Sequence, residues 1–357
     1  MGTHHMNQLQ AVRTFGQQIW LDNLSRGLIE SGELANWLAD GIAGVTSNPA
    51  IFHKAIAHDP SYCQALLEIR ERIADPEARY EALVLPDIQA SCDLLAPLYE
   101  DSRGEAGYVS LEVSPALAHD AGGTIAAARR LWAAIARPNA MIKVPATPAG
   151  IQALSTLIAE GINVNITLLF SLSQLEATWD AYLAGLNARV EADLPVHSIR
   201  AVASFFLSRI DHAIDAQLPE ALQGKTAIAL ARQAYRRYQA RFHGAEFAPF
   251  KSLGAWPHIL LWASTGTKNP AYSDVLYVES LMGPETVNTV PDATLLAFRD
   301  HGQSAERLCS EDGTHTDAQL AAVAAAGVDL EALGAKLLQD GLKSFDEAFA
   351  ALLVLTA

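Results

Sequence analysis

Two apolar patterns alternate along the chain. Short runs rich in β-branched and aromatic residues recur at "QIWLD" (18–22), "IAGVTSN" (42–48), "GYVSLEV" (107–113), "AMIKVP" (140–145), "INVNITL" (162–168), "IRAVASFF" (199–206), "HILLWAS" (258–264) and "TVNTV" (286–290). Several are continuously apolar, which predicts strands covered on both faces. Between them the spacing becomes helical. Residues 25–41 put Leu28, Ile29, Leu34, Trp37 and Leu38 on one stripe and end at Gly41, which predicts one helix. In "SDVLYVESLMG", Val275, Leu276, Val278 and Leu281 fall at helical spacing, so "VLYVESL" is expected to be a helix and 286–290 the last strand. The tail from Leu320 reads as further helices joined at Gly327 and Gly341.

Eight strands separated by helices predict an α/β protein, a (β/α)8 TIM barrel, with an open doubly wound sheet as the competing fold. "RGLIESG" and "DAGGT" have the wrong shape for a dinucleotide-binding turn and do not directly follow a strand. With no Pro/Ser-rich linker and no internal repeat, residues 7–357 are read as one domain, with a helical extension from about residue 318. Residues 1–6 carry His4 and His5 before Met6 and read as a possible expression remnant.

Composition narrows the function. The 357 residues are 50% hydrophobic and 18% charged, with a formal net charge of −15. That sign repels phosphodiester backbones, so nucleic-acid binding is not expected, although a local cationic cluster still suits a small anion. Three scattered cysteines imply a reducing compartment, and the eleven histidines make no metal-binding motif. No apolar run reaches the length of a bilayer span. These features predict a soluble cytoplasmic protein.

The polar residues inside the apolar runs carry the chemistry. Lys143 interrupts "AMIKVP", a run that reads as a central strand, where lysine is costly to bury. Asp22 ends the first run and Asn48 the second. Glu112 lies near the end of the third, Asn165 and Thr167 in the fifth, and Ser204 in the sixth. Each has a bland reading alone: Asp22 as a helix-start residue, Asn48-Pro49 as a turn, Thr167 as an ordinary strand residue. In a barrel of this type, however, the C-terminal strand ends converge on one mouth, where all seven side chains would meet.

That set suits a lysine that forms a Schiff base. An amine attacks a carbonyl only when neutral, and an apolar surrounding disfavours its ammonium form. Glu112 would serve the proton transfers, and Asp22 would take the proton of a substrate hydroxyl. Asn48, Asn165 and Ser204 would bind sugar hydroxyls. The iminium is itself the electron sink, so neither metal nor cofactor is expected.

The motifs "IWLDNLSR", "GVTSNPAIF", "VSLEV", "IKVPAT", "NVNITLLFS" and "ASFFLSRID" resemble the transaldolase family in order and spacing, over residues 15 to 300 or so. The segments "LLWASTGTKNP" and "GPETVNTVP" resemble its longer bacterial subgroup. The resemblance implies a barrel of class I aldolase type with C-terminal helices covering part of the mouth. It implies Lys143 as the Schiff-base residue, Asp22 as acid/base, Glu112 as a relay through a water, and Thr167 as a holder of that water. Asn48, Asn165 and Ser204 would hold the dihydroxyacetone unit, Phe206 would be an aromatic wall and Arg209 a phosphate ligand. Where many family members have "ASFR", this chain has "ASTGTK": Ser264 aligns, and Lys268 replaces the second phosphate-binding arginine. The implied reaction moves dihydroxyacetone between sugar phosphates in a monomer or homodimer. A fructose 6-phosphate aldolase and a non-catalytic sugar-phosphate-binding barrel are the alternatives.

Overall fold

A strand that is apolar on both faces needs neighbours on both sides and cover above and below, which a closed barrel ringed by helices supplies. The computed structural model describes residues 6–310 and 313–357, so His4 and His5 lie outside the described residues. It forms eight strands where the apolar runs predict them: β1 (Gln17–Leu21), β2 (Gly44–Thr46), β3 (Tyr108–Glu112), β4 (Ala140–Pro145), β5 (Val164–Leu169), β6 (Ala201–Phe206), β7 (Ile259–Ala263) and β8 (Thr286–Val290). All pair in parallel in sequence order, and β8 returns to β1. Closure excludes the open doubly wound sheet.

Register decides which side chains share the barrel interior, because parallel partners point to the same face. Glu112 is opposite Lys143, Lys143 opposite Asn165, and Asn165 opposite Val202. Counting by two from this row puts Thr46, Ser110, Thr167, Ser204 and Thr289 inside as well. The lower layer of the same face holds Trp20, Tyr108, Met141, Val202 and Ile259. Gly44 leaves room there for Trp20, whose ring would lie 2.5 Å from any Cβ at that position. The interior is therefore apolar below and polar towards the C-terminal mouth. The alternate residues, among them Leu111, Ile142, Val144, Ile166, Phe205 and Trp262, are buried beneath the helices.

Three helical expectations change. Residues 25–41 form two helices, Arg26–Glu30 and Glu33–Asp40, because Gly32 adopts φ +78° and starts the second. "VLYVESL" yields a single turn, Leu276–Glu279, since the chain must still cross to β8 within a few residues. Gly341 joins nothing: the C-terminal helix Leu330–Thr356 runs through it without a break. Gly327, with φ +90°, does separate that helix from the preceding one, Thr314–Ala325. Among the described residues, no helix is long and apolar enough to cross a membrane.

The helix after β4, Pro148–Glu160, begins with Pro148 and an N-cap from Thr147, whose hydroxyl accepts from Gly150 N at 2.9 Å. Gly150 is what lets this helix start so close to the strand bearing Lys143. A Cβ at Gly150 would lie 1.9 Å from the Pro145 carbonyl oxygen. Gly150→Ala is expected to lower stability by about 3 kcal/mol, read as a drop in the thermal unfolding midpoint followed by circular dichroism. An unchanged midpoint would show that the strand–helix junction is not tight.

Candidate active site

A cleft of about 720 Å³, counting its open end, lies at the C-terminal mouth. Nine of the residues singled out in the sequence line it: Asp22, Asn48, Lys143, Thr167, Ser204, Phe206, Arg209, Ser264 and Lys268. Glu112 and Asn165 sit just beneath, flanking Lys143 in strand register. Another cleft, of about 650 Å³, opens at the opposite end between Trp20, Tyr108, Arg200 and Trp256, and none of the eleven residues reaches it.

Lys143 is 5% exposed. Its Nζ donates to the Ser47 carbonyl at 3.1 Å and lies 3.4 Å from Glu112 Oε2. That carboxylate oxygen is buried and has no closer hydrogen-bond partner than this amine. Burial is the largest influence on Glu112 and pushes its pKa up to about 7, against the opposing pull of Lys143. Glu112 is therefore divided between acid and carboxylate near neutral pH and can accept or return a proton there.

Asp22 follows β1 directly. Its Oδ1 accepts from the Thr46 hydroxyl at 2.7 Å, and Thr46 meets Thr289 at 2.6 Å. A hydroxyl has one proton to give, so Thr46 donates to Asp22 and Thr289 donates to Thr46. Burial raises the pKa of Asp22, with Lys143 and Thr46 pulling the other way. Thus neither carboxylate is a comfortable anion, which weakens the objection to a neutral amine between them.

Below the amine, Ser204 Oγ donates to Asn165 Oδ1 at 2.7 Å, and Asn165 Nδ2 donates to Ser110 Oγ at 3.1 Å. The fully buried Asn165 is thereby fixed in one orientation. Asn48 caps the helix Pro49–His58, its Oδ1 accepting from Ile51 N at 3.0 Å, which leaves its amide NH2 for the cleft. The Thr167 hydroxyl is buried without a protein partner.

The outer part of the cleft is cationic. Arg209 is half-buried and stacks its guanidinium 5.4 Å from the centre of the Phe206 ring. Burial lowers its pKa, and no carboxylate among the described residues acts on it. Lys268 is exposed at the rim. Between them, Ser264 adopts φ +52° and bonds Ser208 hydroxyl to hydroxyl at 2.8 Å. Phe345, from the C-terminal helix, completes the wall, its ring centre 5.8 Å from Lys143 Nζ.

Thr46, Thr289, Ser110 and Phe345 escape a reading of the sequence alone. The three hydroxyls look like ordinary strand residues, and only the parity shared with Lys143 separates them from the rest. Phe345 sits in an amphipathic tail and carries no local signal of a site.

The fold and the cleft define a (β/α)8-barrel protein with one lysine set between two carboxylates at the catalytic end of the barrel. A family model described as "Transaldolase/Fructose-6-phosphate aldolase" matches residues 19–355. The chain is 54% identical to a transaldolase of Neisseria gonorrhoeae, over 98% of this chain and 99% of that one. It is 51% identical to a transaldolase of Thiobacillus denitrificans at the same coverage, and 43% identical to "Transaldolase 2" of a Nostoc species, over 98% and 96%. The chain belongs to the transaldolase/fructose-6-phosphate aldolase family.

Glu112 also predicts a pH dependence of stability. A folded-state pKa of about 7, above the ordinary 4.5, means the folded protein holds that proton more tightly. This contribution is present below about 4.5 and is lost as pH rises to about 7, by up to about 3 kcal/mol. Urea unfolding across that window should show a steeper loss in the wild type than in Glu112→Gln. Parallel curves would mean that Glu112 titrates normally.

Proposed function

We propose that this protein is a transaldolase of the pentose phosphate pathway, moving a dihydroxyacetone unit from a ketose phosphate to an aldose phosphate through a Schiff base on Lys143. The observation that carries the reading is the buried amine 3.4 Å from Glu112, in a cleft that also holds an arginine with no carboxylate partner among the described residues. The expected donors are sedoheptulose 7-phosphate and fructose 6-phosphate. The expected acceptors are erythrose 4-phosphate and glyceraldehyde 3-phosphate.

Passing one proton from Lys143 to Glu112 leaves a neutral amine beside a neutral acid, the pair that addition to a ketone requires. The amine attacks the donor's carbonyl carbon, one of its N–H protons and the proton held by Glu112 pass to the carbonyl oxygen, and that oxygen leaves as water as the iminium forms. Thr167, with its free hydroxyl, orients that water. Asp22 then takes the proton of the hydroxyl on the far carbon of the bond to be broken. As the carbon–carbon bond opens, its electrons pass to the iminium to give an enamine, and an aldose phosphate departs. The second half repeats these steps in reverse with the acceptor. Asn48, Asn165 and Ser204 hold the hydroxyls of the three-carbon unit, and Phe206 walls it. Arg209, with Lys268 at the rim and Ser264 between them, receives the phosphate.

Two measurements test this. Lys143→Met should reduce acceptor-dependent transfer from fructose 6-phosphate to erythrose 4-phosphate by roughly four orders of magnitude, with the fold intact by circular dichroism. Full activity in that variant would end the reading. Arg209→Ala should raise KM for phosphorylated donors roughly 10- to 100-fold and leave unphosphorylated fructose unaffected. An equal effect on both sugars would place the phosphate elsewhere.

A further inference from the structure

The C-terminal helix Leu330–Thr356 is tied down at both ends. At its start Asp329 caps it, and Glu331 accepts from Ser173 at the head of the helix that follows β5. At its end Arg70 donates to the Leu355 carbonyl at 2.8 Å, and the Thr356 hydroxyl donates to the Pro76 carbonyl at 3.3 Å. The part in between crosses the barrel mouth. Gly341 and Phe345 are four residues apart and so share one face. A Cβ on Gly341 would stand 2.9 Å from Leu168 Cδ2 and 3.4 Å from Arg209 Nη1. Leu168 in turn lies within β5 with φ +62°, at the point where the β5–β6 register shifts. The missing side chain at 341 lets the helix press on β5, and that approach seats the Phe345 ring over Lys143. Phe345 is 7% exposed.

We infer that Phe345 is the residue that commits the enzyme to transfer, by closing the solvent side of Lys143 while the three-carbon unit is attached; this rests on the Schiff-base reading above. The enamine on Lys143 has two fates. In transfer, its nucleophilic carbon bonds to the aldehyde carbon of the acceptor, and the resulting alkoxide takes the proton held by Asp22. In release, the same carbon takes a proton and becomes an iminium, water adds at the iminium carbon, and the C–N bond breaks. Free dihydroxyacetone and the amine are then regenerated. Release consumes one water at the iminium carbon, and transfer consumes none at that stage. The apolar ring of Phe345 lies over Lys143, on a helix that packs against Pro49–His58, the helix after β2. It therefore acts selectively against water. The acceptor enters along the cationic side, past Arg209 and Lys268. Phe345 is a specificity-determining wall, distinct from the groups that carry protons.

The test compares wild type, Phe345→Ala and Phe345→Leu in the full chain. Two rates are followed with fructose 6-phosphate as donor: transfer to erythrose 4-phosphate, and dihydroxyacetone release without acceptor. In Phe345→Ala the ratio of release to transfer should rise about tenfold or more. Phe345→Leu restores an apolar wall without the ring and should return most of the transfer preference. It also keeps the test open if the alanine variant folds poorly. An unchanged ratio in both variants, with transfer intact, overturns the inference. Loss of cleavage and transfer together in both variants overturns it as well, because the ring would then serve the chemistry rather than its outcome. Absence of acceptor-dependent transfer in the wild type is a different failure, that of the proposed function itself.

Discussion

The structure depends on one desolvated pairing: an amine and a carboxylate placed opposite each other on adjacent parallel strands, both buried. Register makes Glu112 and Lys143 neighbours, and the barrel closes the space around them. Removing charges from water is costly, and attraction alone does not repay it unless the geometry is good and protons can move. Here the cost falls visibly on Glu112, whose acid form is favoured until about pH 7. A carboxyl group that is a poor anion is a good partner for an amine proposed to react uncharged. Much of the surrounding architecture serves to hold that pair still. Asn165 is locked from both sides by Ser204 and Ser110, and Asp22 is held by a relay of two threonines.

Along the cleft the electrostatics change sign of purpose. The inner end holds groups whose charges nearly cancel, and the outer end holds Arg209, on which no carboxylate among the described residues acts. The chain as a whole carries −15, which would repel anions at long range. A local pair of cations reverses that only at the mouth, so a small anion is bound by where it sits rather than by bulk attraction. The C-terminal helix separates the two ends. It touches Arg209 through the bare backbone of Gly341 and Lys143 through the ring of Phe345.

Much of this was legible in the sequence, and the misses have physical causes. All eight strands show as apolar runs because a closed barrel buries both strand faces, and Asp22, Glu112, Lys143, Asn165, Thr167 and Ser204 within or at the end of those runs share the interior face. Asp22, Glu112 and Lys143 are conspicuous for that reason. Thr46 and Thr289 are not, because threonine suits any strand and only register shows that they meet. Residues 25–41 keep a helical stripe, yet Gly32 resolves its local cost by turning left-handed and splitting the helix. Gly341 reads as a breaker. In the structure it lies inside a helix whose many contacts outweigh the propensity cost, and a side chain there would collide with Leu168. Phe345 is silent because its meaning depends on where the tail lands.

The central claim is that Lys143 attacks the donor as an amine. The most direct measurement is reduction with sodium borohydride in the presence of fructose 6-phosphate, followed by peptide mass spectrometry. The account predicts a single reduced three-carbon adduct on the peptide containing Lys143, and none in Lys143→Met. An unmodified Lys143, or an adduct confined to another lysine, would contradict it.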